Sequence, residues 1–347
     1  MPFLMPRAAT TVSRNGEIDK SRQQWRVANI AIGRLSLMRD IALQCRAVTV
    51  FGKDGTIDEN GFRAYLQRLI DQNIDVYLAS GGSGEGHALT WDELKRVYQI
   101  GVTACRGKIE VNANAPEHQT ARRVIEHASL AIEAGVDVVN IYQPASWHGY
   151  RPQGDELASY YETILREIRH PVALAPNPII GAGPSPALVA KLCRRFPQIV
   201  AINLVGQPEI YFLELKALLT RNVRLFVDTR GLPNTLALGA AGVVSGNLNI
   251  MPNTYRAFAT CYRDKDVTGM AELFGQMIRT NDFTQRWASP NSRMIKMFMT
   301  VFRLPGWEGG VREPCRLPPA AELETFRSGL LTLGVPEFEE LARQAAA

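Results

Sequence analysis

Past residue 40, short apolar or β-branched runs alternate with stretches whose apolar residues recur at helical spacing. The short runs, which predict strands, are Leu43–Phe51, Val76–Ser80, Ile109–Ala113, Val136–Tyr142, Val172–Ala175, Ile199–Leu204, Val223–Val227 and Gly242–Ser245. The stretches between them, which predict helices, are Asn60–Gln72, Thr90–Ala104, Thr120–Ala134, Gly154–Ile168, Ser185–Phe196, Gln207–Leu219 and Pro233–Leu238. Apolar strands that alternate with amphipathic helices are typical of a parallel sheet covered by helices. The succession of eight such units predicts an α/β fold, a (β/α)8 TIM barrel.

The regions on either side of the predicted barrel differ from it in pattern. The barrel is expected to span residues 38–252, and residues 253–347 are expected to form a helical C-terminal region packed on it. Residues 1–37 are rich in arginine and poor in acidic residues, which weakly resembles a transit peptide. We favour a helical N-terminal extension, in which Ser21–Leu37 is the amphipathic segment.

Composition excludes several classes of protein. The 347 residues are 46% apolar, but no apolar run approaches the ~20 residues that a membrane-spanning helix needs. The net charge is +5, yet the arginines that supply most of it are interspersed with acids, unlike the clustered basic face of a nucleic-acid-binding protein. Five widely spaced cysteines without a CxxC pair indicate reduced thiols. We therefore expect a cytoplasmic protein that binds neither nucleic acid nor membrane.

The loops that follow the predicted strands hold the candidate site, because TIM barrels carry their active sites at the carboxyl ends of the strands. The strongest of these loops follows the second strand and reads Gly81-Gly82-Ser83-Gly84-Glu85. Its glycines allow consecutive backbone N–H groups to converge on an anion, and Ser83 can add a hydroxyl donor. The loop therefore predicts a carboxylate or a small phosphate as ligand.

This loop also carries a family resemblance. Together with Leu89-Thr90 and Glu93, it resembles the G-[ST]-T-G-E…L-T-x-E-E signature of the dihydrodipicolinate synthase/N-acetylneuraminate lyase family. Thr49-Val50-Phe51 resembles the T-P-F of the family's first strand, with Val50 in place of the proline. Further matches in the family's order lie at residues 54–58, 135–137, 239–243 and 311–314. The resemblance covers about residues 40–335.

The resemblance implies a TIM barrel that forms or breaks carbon–carbon bonds in 2-oxo acids. In the family, a lysine on strand six forms a Schiff base with the keto carbon. A tyrosine that ends strand five moves protons, assisted by a loop hydroxyl and by a tyrosine from a neighbouring subunit. The loop amides hold the substrate carboxylate. The resemblance also implies a homo-oligomer, either a dimer or a tetramer.

The sequence departs from this family pattern where the chemistry occurs. Asn203 stands at the position of the Schiff-base lysine, and Ala175 stands at the position of the strand-five tyrosine. Pro144-Ala145-Ser146 replaces the P-Y-Y of strand four, so the tyrosine lent to the neighbour is missing. Gly82 replaces the first loop hydroxyl, while Ser83 keeps the second. None of the eight lysines is expected at the barrel centre, which disfavours a conventional Schiff-base aldolase.

The first hypothesis is a lyase of aldolase or hydratase type that acts on a 2-oxo-acid-like small molecule by acid–base chemistry, with no cofactor. The catalytic candidates are Ser83, Asn203, His148 and Tyr142, and His87 and Asp228 are further possible proton donors or bases. The residues expected to contact the substrate are Gly81, Gly82, Ser83, Gly84, Ala175, Asn177, Asn203 and Ser245.

Two alternatives remain open. The first is a non-catalytic descendant that binds a small carboxylic acid or scaffolds a partner. The missing catalytic side chains favour it, whereas the polar loops at residues 81–87 and 146–151 favour an enzyme. The second is a metal-dependent variant with ligands drawn from Glu85, His87, Glu117, His118 and Asp228, but no HxH or HxxxH pair supports it. We therefore assign no metal site.

Overall fold

The computed structural model describes residues 41–146, 148–149, 151–288 and 291–346. The predicted N-terminal extension, residues 1–37, lies outside the described residues. Within the described part of the chain, no helix combines the length and the apolar character needed to cross a bilayer.

Eight parallel strands close into a barrel, in which sequence neighbours pair and the first strand pairs with the last. The strands are β1 Ala42–Arg46, β2 Asp75–Leu78, β3 Val111–Asn114, β4 Val138–Tyr142, β5 Val172–Ala175, β6 Ile199–Leu204, β7 Arg224–Val227 and β8 Gly242–Ser245. The helices that follow the first seven strands are α1 Glu59–Asp71, α2 Trp91–Cys105, α3 Ala121–Ala134, α4 Gly154–Glu167, α5 Pro186–Arg195, α6 Glu209–Leu218 and α7 Leu232–Ala237. The predicted (β/α)8 TIM barrel is confirmed.

The first strand is shorter than the predicted run Leu43–Phe51, because that run spans two environments. The ladder of β1 ends at Arg46, where the chain leaves the barrel wall. Phe51 is 2% exposed, and its ring lies 4.2 Å from Nζ of Lys296 and 4.4 Å from the guanidinium carbon of Arg312. Phe51 is therefore buried against the C-terminal region and does not belong to the sheet.

Beyond β8 the described chain is helical. The helices are α8 Pro252–Asp264, α9 Val267–Thr284, α10 Asn291–Val301, α11 Ala320–Leu331 and α12 Pro336–Ala346. The buried carboxylate of Glu337 in α12 accepts hydrogen bonds from the N–H groups of Asn253 at 3.1 Å and Thr254 at 2.9 Å. These donors belong to the first turn of α8, where helical N–H groups lack intrahelical partners. The last helix is thereby tied to the segment that leaves the barrel.

The interior of the barrel changes character from one end to the other. At the amino ends of the strands, Arg224 donates to both carboxylate oxygens of Glu110, at 2.9 and 3.2 Å. Towards the carboxyl ends, the small side chains of Ala173 and Ala175 leave room for the rings of Tyr77 and Tyr142. At the amino ends of the strands, the positive charge of Arg224 is thus neutralised by Glu110. At the carboxyl ends, polar groups line the interior.

A buried ion pair joins the loop after β2 to α10. Nζ of Lys296 lies 2.5 Å from Oε1 of Glu85, and the two side chains are 4% and 5% exposed. Burial lowers the pKa of Lys296 to about 8, although the Glu85 carboxylate opposes this change. The second carboxylate oxygen of Glu85 accepts from the N–H of Arg312 at 3.0 Å. Glu85 therefore connects the loop to two separate parts of the C-terminal region.

We predict that Glu85→Gln lowers the free energy of unfolding by about 3–5 kcal/mol, because it leaves the charge of Lys296 buried without a partner. The matched control is Glu59→Gln, which breaks the exposed pair with Arg96 (2.5 Å) and is expected to change stability little. Urea denaturation followed by circular dichroism measures both. Equal, small losses for the two variants would contradict the role assigned to the buried pair.

Candidate active site at the carboxyl ends of the strands

A cavity of about 850 Å³ opens at the carboxyl ends of the strands. Its walls come from the loops after the strands and from α9 and α10. The lining residues on which the site depends are Arg46, Gly81, Gly82, Glu117, Tyr142 and Ser245. A second cavity of about 890 Å³ lies between α4 and α5 and the segments that precede these two helices, and no strand residue lines it. Only the first has the position expected for a barrel active site.

The loop after β2 is tightly wound between two residues in the left-handed region, Ala79 with φ 53° and Glu85 with φ 52°. Such angles are uncommon for residues with a Cβ and persist where the surroundings enforce them. A Cβ on Gly86 would come within 2.0 Å of the carbonyl oxygen of Ala79, so only glycine fits there. The loop is therefore held in one conformation by close packing and by the ion pair of Glu85.

The hydrogen bonds of the loop carbonyls orient its amides. The carbonyl of Ser80 accepts from the N–H of Gly84 at 2.9 Å, and that of Gly82 accepts from the N–H of Ser292 at 3.0 Å. The carbonyl of Gly81 lies 3.0 Å from Nδ1 of His87, which donates in the tautomer that carries its proton there. In a trans peptide the N–H points opposite to the C=O, so the next three N–H groups point away from these partners.

The N–H groups thus oriented belong to Gly81, Gly82 and Ser83, and none of them has an acceptor among the described residues. Gly81 and Gly82 line the cavity, and a Cβ on Gly82 would meet nothing within 4 Å. Consecutive unpaired N–H groups beside an open cavity form an anion-binding arrangement. The anion site at this loop stays a prediction, which the direction of its N–H groups supports.

A pair of tyrosines lies at the centre of the barrel mouth. The hydroxyl oxygens of Tyr77 and Tyr142 are 3.0 Å apart, and the Tyr77 hydroxyl is 2.8 Å from Oδ1 of Asn114. Tyr142 lines the cavity, whereas Tyr77 is 1% exposed. Burial raises the pKa of Tyr142 to about 12. At neutral pH both hydroxyls are therefore protonated. The proton of Tyr77 is used within the protein, so the hydroxyl of Tyr142 is the one that can donate a hydrogen bond to a ligand oxygen.

Glu117 is a half-buried carboxyl group in the same cavity. Its oxygens lie against Gly81, since a Cβ there would be 2.9 Å from Oε2. Burial raises the pKa of Glu117 above its ordinary value. Its negative charge also contributes to the raised pKa of both Tyr77 and Tyr142, which places it near the hydroxyl pair.

Several predicted residues lie elsewhere than expected. Ser83 is fully buried, and its hydroxyl accepts from Nδ2 of Asn291 at 2.8 Å, so its side chain holds α10 and does not line the cavity. Gly84 is buried in the turn. Asn203 is 3% exposed and donates from Nδ2 to Oδ1 of Asn140 at 2.6 Å. His148 is exposed, has φ 46°, and is not among the residues that line the cavity.

The remaining predicted residues lie at or near the cavity. Asn177 lines it, but its Oδ1 accepts from the N–H of Ile179 at 2.9 Å and so shapes its own turn. Ser245 lines it, and its hydroxyl is 3.1 Å from that of Thr229. Ala175 is buried beside Tyr142, its partner in the β4–β5 register. The tyrosine ring therefore lies on the strand next to the position where the family has its own tyrosine.

Three residues were missed in the sequence, namely Arg46, Glu117 as an acid–base group, and Tyr77. Arg46 interrupts the apolar run of the first strand, and Tyr77 lies within the second. Strand alternation could have placed both inside the barrel, had the strand bounds been known. Glu117 follows β3 in a loop, and nothing in the sequence distinguishes it from a solvated carboxylate.

The described residues place neither a lysine nor a set of metal ligands at the cavity. No lysine is among those that line the cavity, and Lys296 lies behind the glycine loop, paired with Glu85. In the same part of the chain, no three His, Cys, Asp or Glu side chains come together as a metal-ligand set.

Comparisons with known proteins give a consistent result. The model of the Dihydrodipicolinate synthetase family matches residues 43–327. The 4-hydroxy-tetrahydrodipicolinate synthase of Maridesulfovibrio salexigens is 28% identical over 271 residues, which cover 74% of this chain and 89% of that protein. The enzyme of the same name from Hyphomonas neptunium is 28% identical over 279 residues, covering 79% and 92%.

Solved structures show the same fold. A crystal structure of YagE, a prophage protein of the dihydrodipicolinic acid synthase family from E. coli K12 in complex with pyruvate, matches with a TM-score of 0.77 at 21% identity. The match covers 85% of this chain and 98% of that one. The dihydrodipicolinate synthase of Aquifex aeolicus matches with a TM-score of 0.76 at 19% identity, covering 85% and 99%.

We predict that Ser83→Ala and Asn291→Ala each lower stability by about 1 kcal/mol, because each removes one partner of the same buried hydrogen bond. The double variant should lose little more than the larger single loss, since the interaction is already broken. Denaturation midpoints of the four proteins measure this coupling. Strictly additive losses would show that the two side chains act separately.

Proposed function

We propose, from the premise that this chain belongs to the dihydrodipicolinate synthetase family, that it is a lyase acting on a 2-oxo-acid-like small molecule without a lysine Schiff base. The reaction is of aldolase or hydratase type. The observation that carries the proposal is one cavity lined by Gly81, Gly82 and Tyr142. The loop N–H groups have no acceptor among the described residues, and the Tyr142 hydroxyl lies 3.0 Å from that of Tyr77.

The loop N–H groups supply the carboxylate site. Those of Gly81, Gly82 and Ser83 are aligned before any ligand binds, because their peptide units are fixed by the carbonyl hydrogen bonds. Donors fixed in advance cost little reorganisation when an anion arrives. In this proposal Ser83 contributes its backbone N–H, while its hydroxyl serves the contact with Asn291.

The acid–base groups lie beside this carboxylate site. The Glu117 carboxylate takes a proton from the carbon next to the keto group, and the electron pair of that C–H bond becomes a carbon–carbon double bond. The negative charge moves to the keto oxygen, to which Tyr142 donates a hydrogen bond. The enolate so formed can bond to a carbonyl carbon, and the resulting alkoxide takes up the proton held by Glu117. Alternatively it can expel the hydroxyl group of the neighbouring carbon, which takes the same proton and leaves as water. In this proposal Glu117 moves the proton, which is the part that the family gives to its strand-five tyrosine, and Tyr142 stabilises the enolate oxygen.

The replacement of the strand-six lysine by Asn203 supports the non-covalent route. An amide cannot form an imine, and Asn203 at the strand-six position is bound to Asn140. Among the described residues no lysine reaches the cavity, since Lys296 is paired behind the loop. His148 lies outside the cavity, so the geometry gives it no part in this route.

We predict that the protein catalyses exchange of the methyl protons of pyruvate in D2O, followed by proton NMR. Borohydride reduction in the presence of pyruvate should give no mass adduct. Glu117→Gln and Tyr142→Phe should each slow the exchange by about 10²- to 10⁴-fold, as expected for loss of a general base or an oxyanion donor. The wild-type rate should rise with pH through the raised pKa of Glu117, because the base is the carboxylate form.

The control is Arg230→Gln, at a residue that also lines the cavity but pairs with Asp282 at its rim, and it should exchange at the wild-type rate. A reduced adduct would overturn the non-covalent route. Binding of 2-oxo acids without exchange of any of them would favour the non-catalytic descendant.

We also expect the chain to self-associate into a dimer or tetramer. Ile210 and Leu213 on α6 are 58% and 40% exposed. Exposed apolar side chains of this kind are commonly buried by contacts between subunits. Light scattering at micromolar concentration measures the assembly, and a monomer mass would contradict it.

A further inference from the structure

Arg46 places a cation at the mouth of the barrel. It ends β1 opposite Tyr77 in the β1–β2 register, so both side chains point to the barrel interior. It lines the cavity, and its Nε is buried without a hydrogen-bond acceptor among the described residues. A partly buried guanidinium without an anion is costly, so a ligand anion would relieve the cost.

Two other arginines of the barrel have carboxylate partners. Arg224, at the opposite end of the barrel interior, is bound by both carboxylate oxygens of Glu110. Arg230, on the rim of the same cavity, pairs with Asp282. Within the described residues no carboxylate pairs with Arg46. Glu110 and Asp282 thus supply carboxylates for the other two arginines, whereas the described residues supply none for Arg46, which lines the cavity.

The backbone of Arg46 is held in place from outside the barrel. Its carbonyl oxygen accepts from Nδ2 of Asn249 at 3.0 Å, and Oδ1 of Asn249 accepts from the hydroxyl of Tyr65. Because β1 and β2 are neighbours, Arg46 lies beside the start of the glycine loop. It also lies close to Tyr142, since its charge partly offsets the rise that burial causes in the pKa of that hydroxyl.

We propose that Arg46 is a substrate-binding residue whose guanidinium forms an ion pair with the carboxylate of the 2-oxo acid, opposite the N–H groups of Gly81, Gly82 and Ser83. The assignment rests on the proposed function, because it names the charge that recognises the acid of that reaction. The loop offers only neutral donors, namely its N–H groups, because the Ser83 hydroxyl is buried against Asn291 and Gly82 has no side chain. Arg46 supplies the charge, and guanidinium–carboxylate pairs are among the strongest hydrogen-bonded contacts.

This arrangement has a consequence for specificity. A 2-oxo acid is expected to bind more tightly than its neutral amide, because only the acid neutralises Arg46. The carboxylate held between Arg46 and the loop directs the adjoining keto group towards the hydroxyl of Tyr142. The site should therefore select carboxylates that carry a keto group on the next carbon.

The test compares pyruvate with its neutral amide, pyruvamide, by isothermal titration. Wild type should prefer pyruvate, and Arg46→Gln should weaken pyruvate binding about ten- to a hundredfold while leaving pyruvamide nearly unchanged. Arg46→Lys, which keeps the charge but loses the planar fork, should fall between the two. Arg230→Gln is the matched control and should bind both ligands as wild type does.

The wild-type protein gives a second readout that needs no variant to fold. An arginine-selective dicarbonyl reagent should modify Arg46, and saturating pyruvate should protect it while leaving Arg230 reactive. Peptide mass spectrometry locates the modification. Modification of Arg46 at the same rate with and without pyruvate would overturn the assignment. So would unchanged preference for pyruvate in a folded Arg46→Gln protein, or no binding of pyruvate to wild type.

The two proposals fail in different ways. Arg46-dependent binding of pyruvate without exchange of its methyl protons would leave the carboxylate site standing and remove the lyase activity. Exchange that persists while Arg46→Gln binds pyruvate normally would leave the activity standing and remove Arg46 from the site.

Discussion

The carboxylate of Glu85 holds together the parts of the protein that form the cavity. It pairs with Lys296 at 2.5 Å and accepts from the N–H of Arg312 at 3.0 Å, and both cations lie over the ring of Phe51. Three distant segments therefore meet at one anion inside the protein. Because such a charge is tolerated only with its partners in place, the end of the glycine loop is fixed relative to α10 and to the segment that follows it.

The chemistry of the cavity depends on this fixed loop. The carbonyls of Ser80, Gly81 and Gly82 are engaged by the protein, so the following N–H groups are left for a ligand. An anion at this point lies near Glu117, whose pKa is already raised by burial. A bound carboxylate and a carboxylate base repel each other, and a cation beside them reduces that repulsion. Arg46 occupies the position from which a positive charge can do so.

The sequence predicted the barrel well because its evidence is periodic and local. Eight apolar runs, each followed by an amphipathic stretch, recur along the chain, and a closed parallel barrel is the arrangement that buries them all. The glycine loop was predicted for a similar reason, since its residues are contiguous. The first strand was predicted to extend to Phe51, which is too long. Phe51 is apolar because it is buried against Lys296 and Arg312, and a sequence pattern does not distinguish this from burial in a strand.

The sequence by itself therefore determined the fold, the family pattern, the position of the glycine loop and the replacement of the strand-six lysine by Asn203. Only the tertiary structure decided how the residues of the site are used. It turned the hydroxyl of Ser83 towards Asn291 and brought Tyr142 to the hydroxyl of Tyr77. It also left Arg46 without a carboxylate among the residues that the structure describes. The physical reason is that the direction of a side chain is fixed by partners distant in sequence. The periodic pattern of apolar residues that predicts strands and helices is a property of neighbouring residues.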